Sequence, residues 1–574
     1  MAFVDEMDRK IGTQPILKIE LYGAAVLTLP SDTLYPAGTL LPVSGDKWTD
    51  ITKYYESGAD FRQEKERGID QISSADVTYT FANYDGYFTK LKINSIFFGQ
   101  YLLHHAKIRC SVGFRFDGTE EYETQSELLI TEIKNDQANS KCYIRCQDRI
   151  YDLISQRVNV YSSDSVPKAA IGNTGNGVMT RVETKPFSTI TEDFTVTLTS
   201  ATAFSVNGSI SGDVGTGTVG EEFTASGNQC KFTLNAGSIA FDSQDIFTFS
   251  TYRYPEWDDK NPVKIIWSIL TGYDWDTDTQ DGWYERTLKF DHTKSTSNTD
   301  LDYDSFVDTV DKVTFFTLSS YIPYNSPAKQ TIEEIISMFL GATFIGPQGK
   351  ITINFFKPVW GTTEKREFSD IKKITQIDYK EDINLLINSG IGNYKATKNW
   401  AWSDDARTNL DVLDGHYSRS ESNSIDNYGV IKNFTYDRYW YSANGAHLSW
   451  AIDRLIYRHA LCPRQISIKT GLDALKTKLG DVVLLTDSNA NISRKACEVV
   501  GISKNFSSPP YEIILDLDDL NTTEGKYVFS GSSANENDGI SPQVDNWDSA
   551  NATERDFCYL STADAQVDPR HYLW

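Results

Sequence analysis

The stretch that decides the fold runs from Ala75 to Gln156. It opens with ADVTYTFANYDGYF (residues 75–88) and closes with ELLITEIKNDQANSKCYIRCQDRIYDLISQ (residues 127–156). In the opening part, apolar and polar side chains alternate until the turn residues Asn83–Gly86. This alternation predicts a half-buried β-strand that ends in a tight turn.

The closing part of the stretch predicts a strand hairpin and a short helix. Apolar residues of the two strands are expected to face each other, and they are Leu128, Ile130, Ile133, Cys142, Ile144 and Cys146. After Asp148 the spacing of Ile150, Leu153 and Ile154 predicts a helix. Together the two parts predict a small β-barrel with a helix packed against its side.

Composition limits the class of protein. The chain has 574 residues, a length that corresponds to about three to five domains. It carries 79 acidic and 55 basic residues, for a formal net charge of −24. A sequence-independent nucleic-acid binder needs a basic face that replaces phosphate counterions, so the charge argues against that class. Such acidity is typical of a soluble protein, and it also fits a surface that must not hold DNA.

Three further features argue against a membrane-spanning or disulfide-bonded secreted protein. No apolar run approaches the ~20 residues that cross a bilayer. Residues 1–15 lack a basic region followed by an apolar core, so no secretory signal is expected. The seven cysteines are scattered without a CxxC pair, and this pattern favours buried thiols over a disulfide framework.

Changes of pattern divide the chain into segments, and they predict a β-rich α+β multidomain protein. The segment 190–252 stands out because Phe, Val and Leu alternate with Thr and Ser, unlike either flank. The predicted segments are a β-barrel-like unit with a packed helix (1–158), a linker (159–189), an inserted antiparallel β domain (190–252), a middle α+β domain (253–370), a second β-barrel-like unit with a packed helix (371–520) and an extended C-terminal arm (521–574).

The middle domain contains the clearest helix signals. Asn261-Pro262 predicts a helix start, and Gly272 predicts the end of that helix. The sequence Thr331-Ile332-Glu333-Glu334 has the pattern of a capping box and predicts that a second helix begins there.

Chemical motifs are absent from the sequence apart from one candidate metal site. There is no Walker loop, GxGxxG, GxSxG or HExxH. Adjacent His104 and His105 on a strand or loop would point apart, whereas zinc needs convergent ligands. The calcium candidate consists of Asp274, Asp276, Asp278 and Glu285, at positions one, three, five and twelve of an EF-hand spacing. Thr279 occupies the position that calls for glycine, so the segment is also typical of a solvated acidic loop.

A glycan hydrolase is the enzyme class that an acidic, aromatic-rich β protein most readily suggests. Such an enzyme holds two carboxylates across a cleft. The adjacent acids Asp258-Asp259 and Asp404-Asp405 do not provide such a pair, and no local pattern fixes another. The sequence therefore predicts no catalytic or cofactor-binding residues, no cofactor and no enzymatic activity.

Segments from roughly Ile16 to Leu517 resemble, in order, the tail hub family of tailed bacteriophages, also called baseplate hub or minor tail proteins and shared with gene transfer agents. The segments are VTYTFANYDGYF, ELLITEIKND…CYIRCQDRIYDL, NPVKIIWSILTG, QTIEEIISMFLGATFIGPQGKITI and ISIKTGLDALKTKLGDVVLLTD. The inserted domain and the C-terminal arm lie outside the resemblance.

The resemblance implies a structural virion protein at the tail tip, assembled in the bacterial host cytoplasm. Two similar β units per chain would let a homotrimer present six units, a ring that docks on a six-fold tail tube and encloses the channel for genome ejection. Implied partners are a distal tail or tail-tube ring above, tail fibre or tip proteins below, the tape measure protein, and DNA that passes through without specific binding.

Two alternatives stay open from the sequence. One is a glycan-binding or depolymerising tail-tip protein, suggested by the insertion at 190–252 and the aromatic residues of the C-terminal arm. The other is the hub of a phage-related injection machine. The sequence does not separate these from the phage hub.

Overall fold

The computed structural model describes most of the chain between residues 14 and 519 and four short strands beyond it. The described residues are 14–22, 25–28, 40–43, 48–64, 76–89, 95, 106–116, 119–150, 153, 156–158, 166–281, 287–314, 317–323, 326–355, 366–370, 373–396, 398, 413, 415–441, 445–460, 464–490, 492–507, 509–519, 527–530, 544–545, 559–562 and 571–572.

The first β unit contains an open antiparallel sheet. The strands up to residue 158 are β1 (Gln14–Tyr22), β2 (Ala25–Thr28), β3 (Leu40–Val43), β4 (Trp48–Asp50), β5 (Tyr55–Ser57), β6 (Asp60–Glu64), β7 (Asp76–Ala82), β8 (Lys107–Phe116), β9 (Thr119–Asp136), β10 (Lys141–Gln147) and β11 (Arg157–Val158). The 7-stranded first sheet has the order β4-β1-β8-β9-β10-β7-β5. Among the described residues β4 and β5 are unpaired with each other, so the sheet is a half-barrel and not a closed barrel.

The predicted hairpin is confirmed for Ile130 and Ile133, whereas Leu128 lies opposite Ile108 of β8 and Cys142 lies opposite Asn135. Cys142, Ile144 and Cys146 of β10 lie opposite Phe81, Tyr79 and Val77 of β7. On its other side β10 pairs with β9, where Ile144 faces Ile133 and Cys146 faces Ile130. These side chains are buried or packed against the core of the first sheet, because alternation places one face of each strand inward.

The helix expected on the side of the first sheet packs elsewhere. Ile150 and Leu153 are helical and fully buried, but they belong to the hydrophobic core of the middle domain, together with Trp267 and Phe306. Ile154 lies outside the described residues. Apolar spacing shows that a helix face is buried, but it does not show which neighbour covers that face.

The inserted segment is an antiparallel β unit with a core of its own. Its strands are β12 (Lys168–Ala169), β13 (Val178–Met179), β14 (Glu183–Thr184), β15 (Glu192–Leu198), β16 (Ala203–Gly208), β17 (Gly212–Thr218), β18 (Glu222–Thr224), β19 (Cys230–Asn235) and β20 (Ile246–Thr251). They form one sheet of order β12-β20-β15-β16-β17 and another in which β19 pairs with β13, β14 and β18. Inward phenylalanines fill the space between them. The segment 159–189, predicted as a linker, contributes β12, β13 and β14.

The middle domain combines helices with short strands. Its elements are β21 (Glu256–Lys260), α1 (Pro262–Thr271), α2 (Tyr303–Lys312), β22 (Leu318–Tyr321), β23 (Ser326–Pro327), α3 (Ala328–Met338), β24 (Gly341–Ile345) and β25 (Ile351–Phe355). The predicted ends of α1 are confirmed: Asn261 Oδ1 accepts hydrogen bonds from the backbone of Val263 and Lys264, and Gly272 closes the helix with φ 80°.

The capping-box prediction for α3 is wrong. The helix begins at Ala328, directly after Pro327, and its first turn therefore precedes Thr331. Thr331 Oγ1 donates to the carbonyl of Pro327 at 2.9 Å, a bond within the helix. Pro327 fixes its own φ in the range that leads into a helix, so the chain turns earlier than the capping pattern indicates.

The strands between 366 and 519 fall into two sheets. The elements are β26 (Glu367–Ser369), β27 (Ile374–Glu381), β28 (Ser389–Lys395), β29 (Gly415–Ser420), α4 (Ser422–Tyr428), β30 (Asn433–Tyr441), α5 (Ala446–His459), β31 (Arg464–Thr470), β32 (Val482–Asp487), β33 (Ile492–Asn505) and β34 (Glu512–Asp519). The second sheet has the order β26-β32-β33-β34-β31-β27, with β6 also paired to β33. A further sheet, β21-β22-β30-β28-β29, combines strands of the middle domain with strands of the region predicted as one barrel.

Beyond residue 519 the described residues are four strands. They are β35 (Tyr527–Ser530), β36 (Val544–Asp545), β37 (Tyr559–Thr562) and β38 (His571–Tyr572), and they pair in the order β36-β35-β37-β38. The rest of the predicted C-terminal arm lies outside the described residues. No helix in the described part of the chain has the length and apolar character to span a membrane.

Candidate functional site at the junction of the two sheets

The first and second sheets are joined at Gly58, where the chain leaves β5 and enters β6. β5 pairs with β7 of the first sheet. β6 pairs instead with β33 of the second sheet, from Asp60 opposite Asn505 to Glu64 opposite Gly501. Gly58 has φ +104°, and a Cβ added there would lie 2.1 Å from the carbonyl oxygen of Thr78. The corner therefore requires glycine on two grounds, backbone conformation and close approach.

A row of aromatic rings continues the contact between the sheets. The ring of Phe61 on β6 lies 6.4 Å from Tyr79 of the first sheet and 6.1 Å from Phe506 beyond β33. Phe506 in turn makes an edge contact with Tyr511 at 5.7 Å. Buried residues of both sheets form a single hydrophobic core. The two sheets consequently behave as one packed body and not as independent domains.

Lys504 is a buried cation inside this junction. It lies on β33 opposite Phe61 and is 8% exposed. Its Nζ donates to Oε1 of Gln125 at 2.9 Å and to the carbonyl of Leu475 at 3.3 Å. Gln125 belongs to β9 of the first sheet, and Leu475 precedes β32 of the second, so the ammonium bridges the two sheets. Burial, and then the nearby Arg366 guanidinium, lowers the pKa of Lys504 to about 8.

We expect stability to rise with pH because of Lys504. Between its folded pKa of about 8 and its ordinary value of 10.5, the unfolded state binds more protons than the folded state. Unfolding free energy should therefore increase over that window, by on the order of 3 kcal/mol for a shift of this size. Urea denaturation at a series of pH values in chloride-free buffers, compared between the native chain and Lys504→Met, measures the effect. An equally steep rise in the Lys504→Met variant would contradict the assignment.

A second buried charge network fixes helix α5 to the second sheet. Arg458 Nη2 lies 2.5 Å from Oε2 of Glu498 and 3.0 Å from Oδ2 of Asp518. Both carboxylate side chains are fully buried. Glu498 and Asp518 are directly opposite each other on β33 and β34, an arrangement that is unfavourable for two like charges. The guanidinium between them offsets this repulsion, and the two carboxylates raise the pKa of Arg458 against the effect of burial.

The structure describes three of the four residues of the calcium candidate, Asp274, Asp276 and Asp278. Asp274 Oδ1 accepts hydrogen bonds from the backbone of Asp276 and from Thr277. Lysines approach the other two carboxylates: Lys264 lies 2.5 Å from Asp276, and Lys294 lies 3.1 Å from Asp278. Glu285 lies outside the described residues, and the described residues contain no group of three or more acidic, His or Cys side chains placed to hold a metal. The calcium site stays a prediction.

The other residues considered for chemistry are not arranged as a catalytic pair. Asp258 and Asp259 share the ammonium of Lys398, at 2.5 and 3.1 Å. Hydrogen bonds from that ammonium and from Ser319 lower the pKa of Asp258. Asp404-Asp405 and His104-His105 lie outside the described residues. The described cysteines 110, 142, 146, 230 and 497 are buried free thiols.

The sequence reasoning missed Gly58, Lys504 and Arg458. One signal was present for Lys504: it follows Ile502 at a strand spacing of two, on the inward side of an apolar run. For Gly58 the signal was a glycine between two short strand patterns, which by itself predicts only a turn. Nothing local indicates that β6 joins a different sheet from β5.

Comparison with known proteins gives partial similarities only. No family model and no curated protein matches the chain. One similar solved structure is the 43 kDa tail protein of prophage MuSo2 from Shewanella oneidensis, with 7% identity and TM-score 0.39 over 88% of this chain and 98% of that one. Another is the tail protein from Neisseria meningitidis MC58, with 9% identity and TM-score 0.39 over 88% and 96%. A third is prophage tail protein gp18 from Listeria monocytogenes EGD-e, with 9% identity and TM-score 0.37 over 83% and 92%. Similarity at this level assigns neither a family nor a function.

Proposed function

We propose that this chain is a structural protein of a bacteriophage tail and, within the tail, the hub that forms a ring at the distal end of the tail tube. The observation that carries the proposal is the shared core. Two β-sheets from opposite ends of the chain pack around one set of buried residues, and the chain passes from the first sheet at β5 to the second sheet at β6. A chain that presents two joined β units is suited to a ring whose symmetry is twice its copy number.

The segments that resemble tail hub proteins fall on the elements that build this body. VTYTFANYDGYF covers most of β7, and the hairpin segment covers the second half of β9 and all of β10. The segment ISIKTGLDALKTKLGDVVLLTD covers β31 and β32 of the second sheet. The two remaining segments cover α1 and the run from α3 to β25, which lie in the middle domain. The segments that carry the resemblance thus lie in both sheets and in the middle domain.

The net charge of −24 has a role in this proposal. DNA that leaves the virion would pass through the ring, and basic contacts along the way would hold its phosphates. An acidic lumen repels the phosphates and lets the genome slide. A cryo-EM reconstruction of the tail tip, with the charged side chains mapped on the lumen, tests this role, and a basic lumen would refute it.

The number of copies of this chain in the oligomer and in each tail tests the proposed ring. We expect native mass spectrometry of the full chain to give a homotrimer, and quantification of purified particles to give three copies per tail. Six copies per tail would overturn the symmetry-adapting hub. Absence of the protein from purified virions would overturn the tail assignment as a whole.

A further inference from the structure

A small cavity lies where the first sheet, the second sheet and the β24–β25 hairpin meet. Its volume is about 40 Å³. Gln125 and Ser126 of β9 line it from the first sheet, and Ile502 and Lys504 of β33 line it from the second. Phe344 to Pro347 line it from the hairpin of the middle domain. A cavity needs a volume of about 10–15 Å³ to hold one water molecule. This cavity therefore has room for a small group larger than water.

Hydrogen-bond donors outnumber their acceptors around this cavity. The ammonium of Lys504 has three N–H groups, and its acceptors in the described part of the chain are two neutral oxygens, of Gln125 and Leu475. A buried ammonium is normally paired with an anion, because moving a charge out of water is costly. Here no described carboxylate lies within ion-pair distance of it.

Two buried hydroxyls add to the excess of donors. Ser126 Oγ lines the cavity, and within the described residues neither it nor the fully buried Tyr79 Oη has a partner at hydrogen-bond geometry. The two are neighbours: burial raises the pKa of Tyr79, and the Ser126 hydroxyl acts in the opposite direction. Even a mutual hydrogen bond would use only one of their two O–H groups. At least one donor is therefore available for a third group.

The carboxylates in the wall of the cavity are already engaged. Glu127 Oε1 accepts from the ammonium of Lys107 at 2.8 Å. Asp148 Oδ1 accepts from the backbone of Ile150 at 3.1 Å. The charges of Glu123 and Asp481 also act on the Lys504 ammonium and oppose the lowering of its pKa, but among the described residues neither carboxylate forms an ion pair with it.

We propose that this cavity binds a small monovalent anion of the size of chloride, held by Lys504 Nζ and the Ser126 hydroxyl. The anion supplies the missing counter-charge and an acceptor for the remaining donors. Since Lys504 belongs to the second sheet and Ser126 to the first, the bound anion links these two sheets beside the hairpin of the middle domain. The site does not depend on the proposed tail function.

Thermal unfolding of the full chain tests the site. Sodium chloride is titrated against sodium gluconate at constant ionic strength, because gluconate matches the charge but is too large for the cavity. We expect Tm to rise with chloride and to saturate, as a ligand that binds only the folded state requires. Ser126→Ala should weaken the apparent chloride affinity about tenfold, the effect of one lost hydrogen bond to a charged group. Lys504→Met should remove the chloride response.

Lys469→Met is the matched control, since Lys469 pairs with Glu512 on the surface of the same sheet and should keep the full response. Crystals soaked in sodium bromide give a second readout, an anomalous peak beside Lys504 Nζ, which does not require the Lys504→Met variant to fold. Equal Tm in chloride and gluconate, together with no bromide peak in the cavity, would show that only water occupies it and would overturn the proposal. A chloride response retained in Lys504→Met would overturn it as well.

Discussion

Gly58→Ala is expected to destabilise the chain by about 2–5 kcal/mol, the sum of a strained backbone and an overpacked contact. Gly58 has φ +104°, which L side chains rarely adopt, and its added Cβ would lie 2.1 Å from a backbone oxygen of Thr78. A backbone oxygen in a sheet cannot move aside as a flexible side chain can. Relief of the clash requires β5 and β7 to separate, at the point where the two sheets are joined.

Gly172→Ala provides the matched control for this prediction. Gly172 has a similar φ of +109°, but nothing lies within 4 Å of its added Cβ. The difference in unfolding free energy between the two variants therefore measures the effect of the Cβ clash with Thr78 separately from backbone strain. Urea denaturation followed by circular dichroism measures both, and limited proteolysis reports whether the sheets come apart. A Gly58→Ala cost no larger than that of Gly172→Ala would show that the corner tolerates a side chain.

The sequence predicts local pairing well, and β7, β9 and β10 show why. Period-two alternation and turn residues are properties of neighbouring residues, so they identify the strands and the hairpin that joins β9 to β10. The same holds for α1, whose Asn261 and Gly272 act directly on the backbone of the helix ends. Local chemistry is sufficient for such features because both partners lie close together in the chain.

Long-range partners could not be predicted in this way. β6 pairs with β33, more than four hundred residues further along the chain, and no periodicity in either strand specifies the other. Ile150 and Leu153 were correctly expected to be buried, but their spacing does not identify the middle domain as the surface that covers them. The region after 371 is predicted as one β unit with a packed helix, whereas the division of its strands between two sheets depends on contacts that the pattern does not encode.

Buried charges were the least predictable part of the site. The helix that contains Arg458 has an apolar stripe formed by Leu448, Ile452 and Ile456, and an arginine beside such a stripe usually reaches solvent. Lys504 was missed for the same reason. Each is buried because a partner from another element meets it, and a single sequence gives no sign of that partner.

Arg458→Met is expected to cost about 3–5 kcal/mol, the usual effect of removing one partner from a buried ionic network. Arg458 Nη2 bridges Glu498 and Asp518 at 2.5 and 3.0 Å, and those carboxylates face each other across β33 and β34. Without the guanidinium, two buried like charges remain side by side, and helix α5 loses its ionic contact with the second sheet. Methionine keeps most of the side-chain volume, so the loss reports the charge and not a cavity.

The triple variant Arg458→Met, Glu498→Gln, Asp518→Asn distinguishes charge repulsion from lost packing. It removes all three charges, keeps the shape of the two acidic side chains and keeps most of the volume of the arginine, and replacement of a whole buried network is often neutral. We therefore expect the triple variant to recover most of the stability that the single variant loses, as measured by urea denaturation of the full chain. Arg458→Lys should recover only part of it, because an ammonium is more strongly hydrated than a guanidinium and is therefore more costly to bury. A triple variant as unstable as Arg458→Met would mean that the arginine acts through packing, and that the repulsion between Glu498 and Asp518 is already offset by their other contacts.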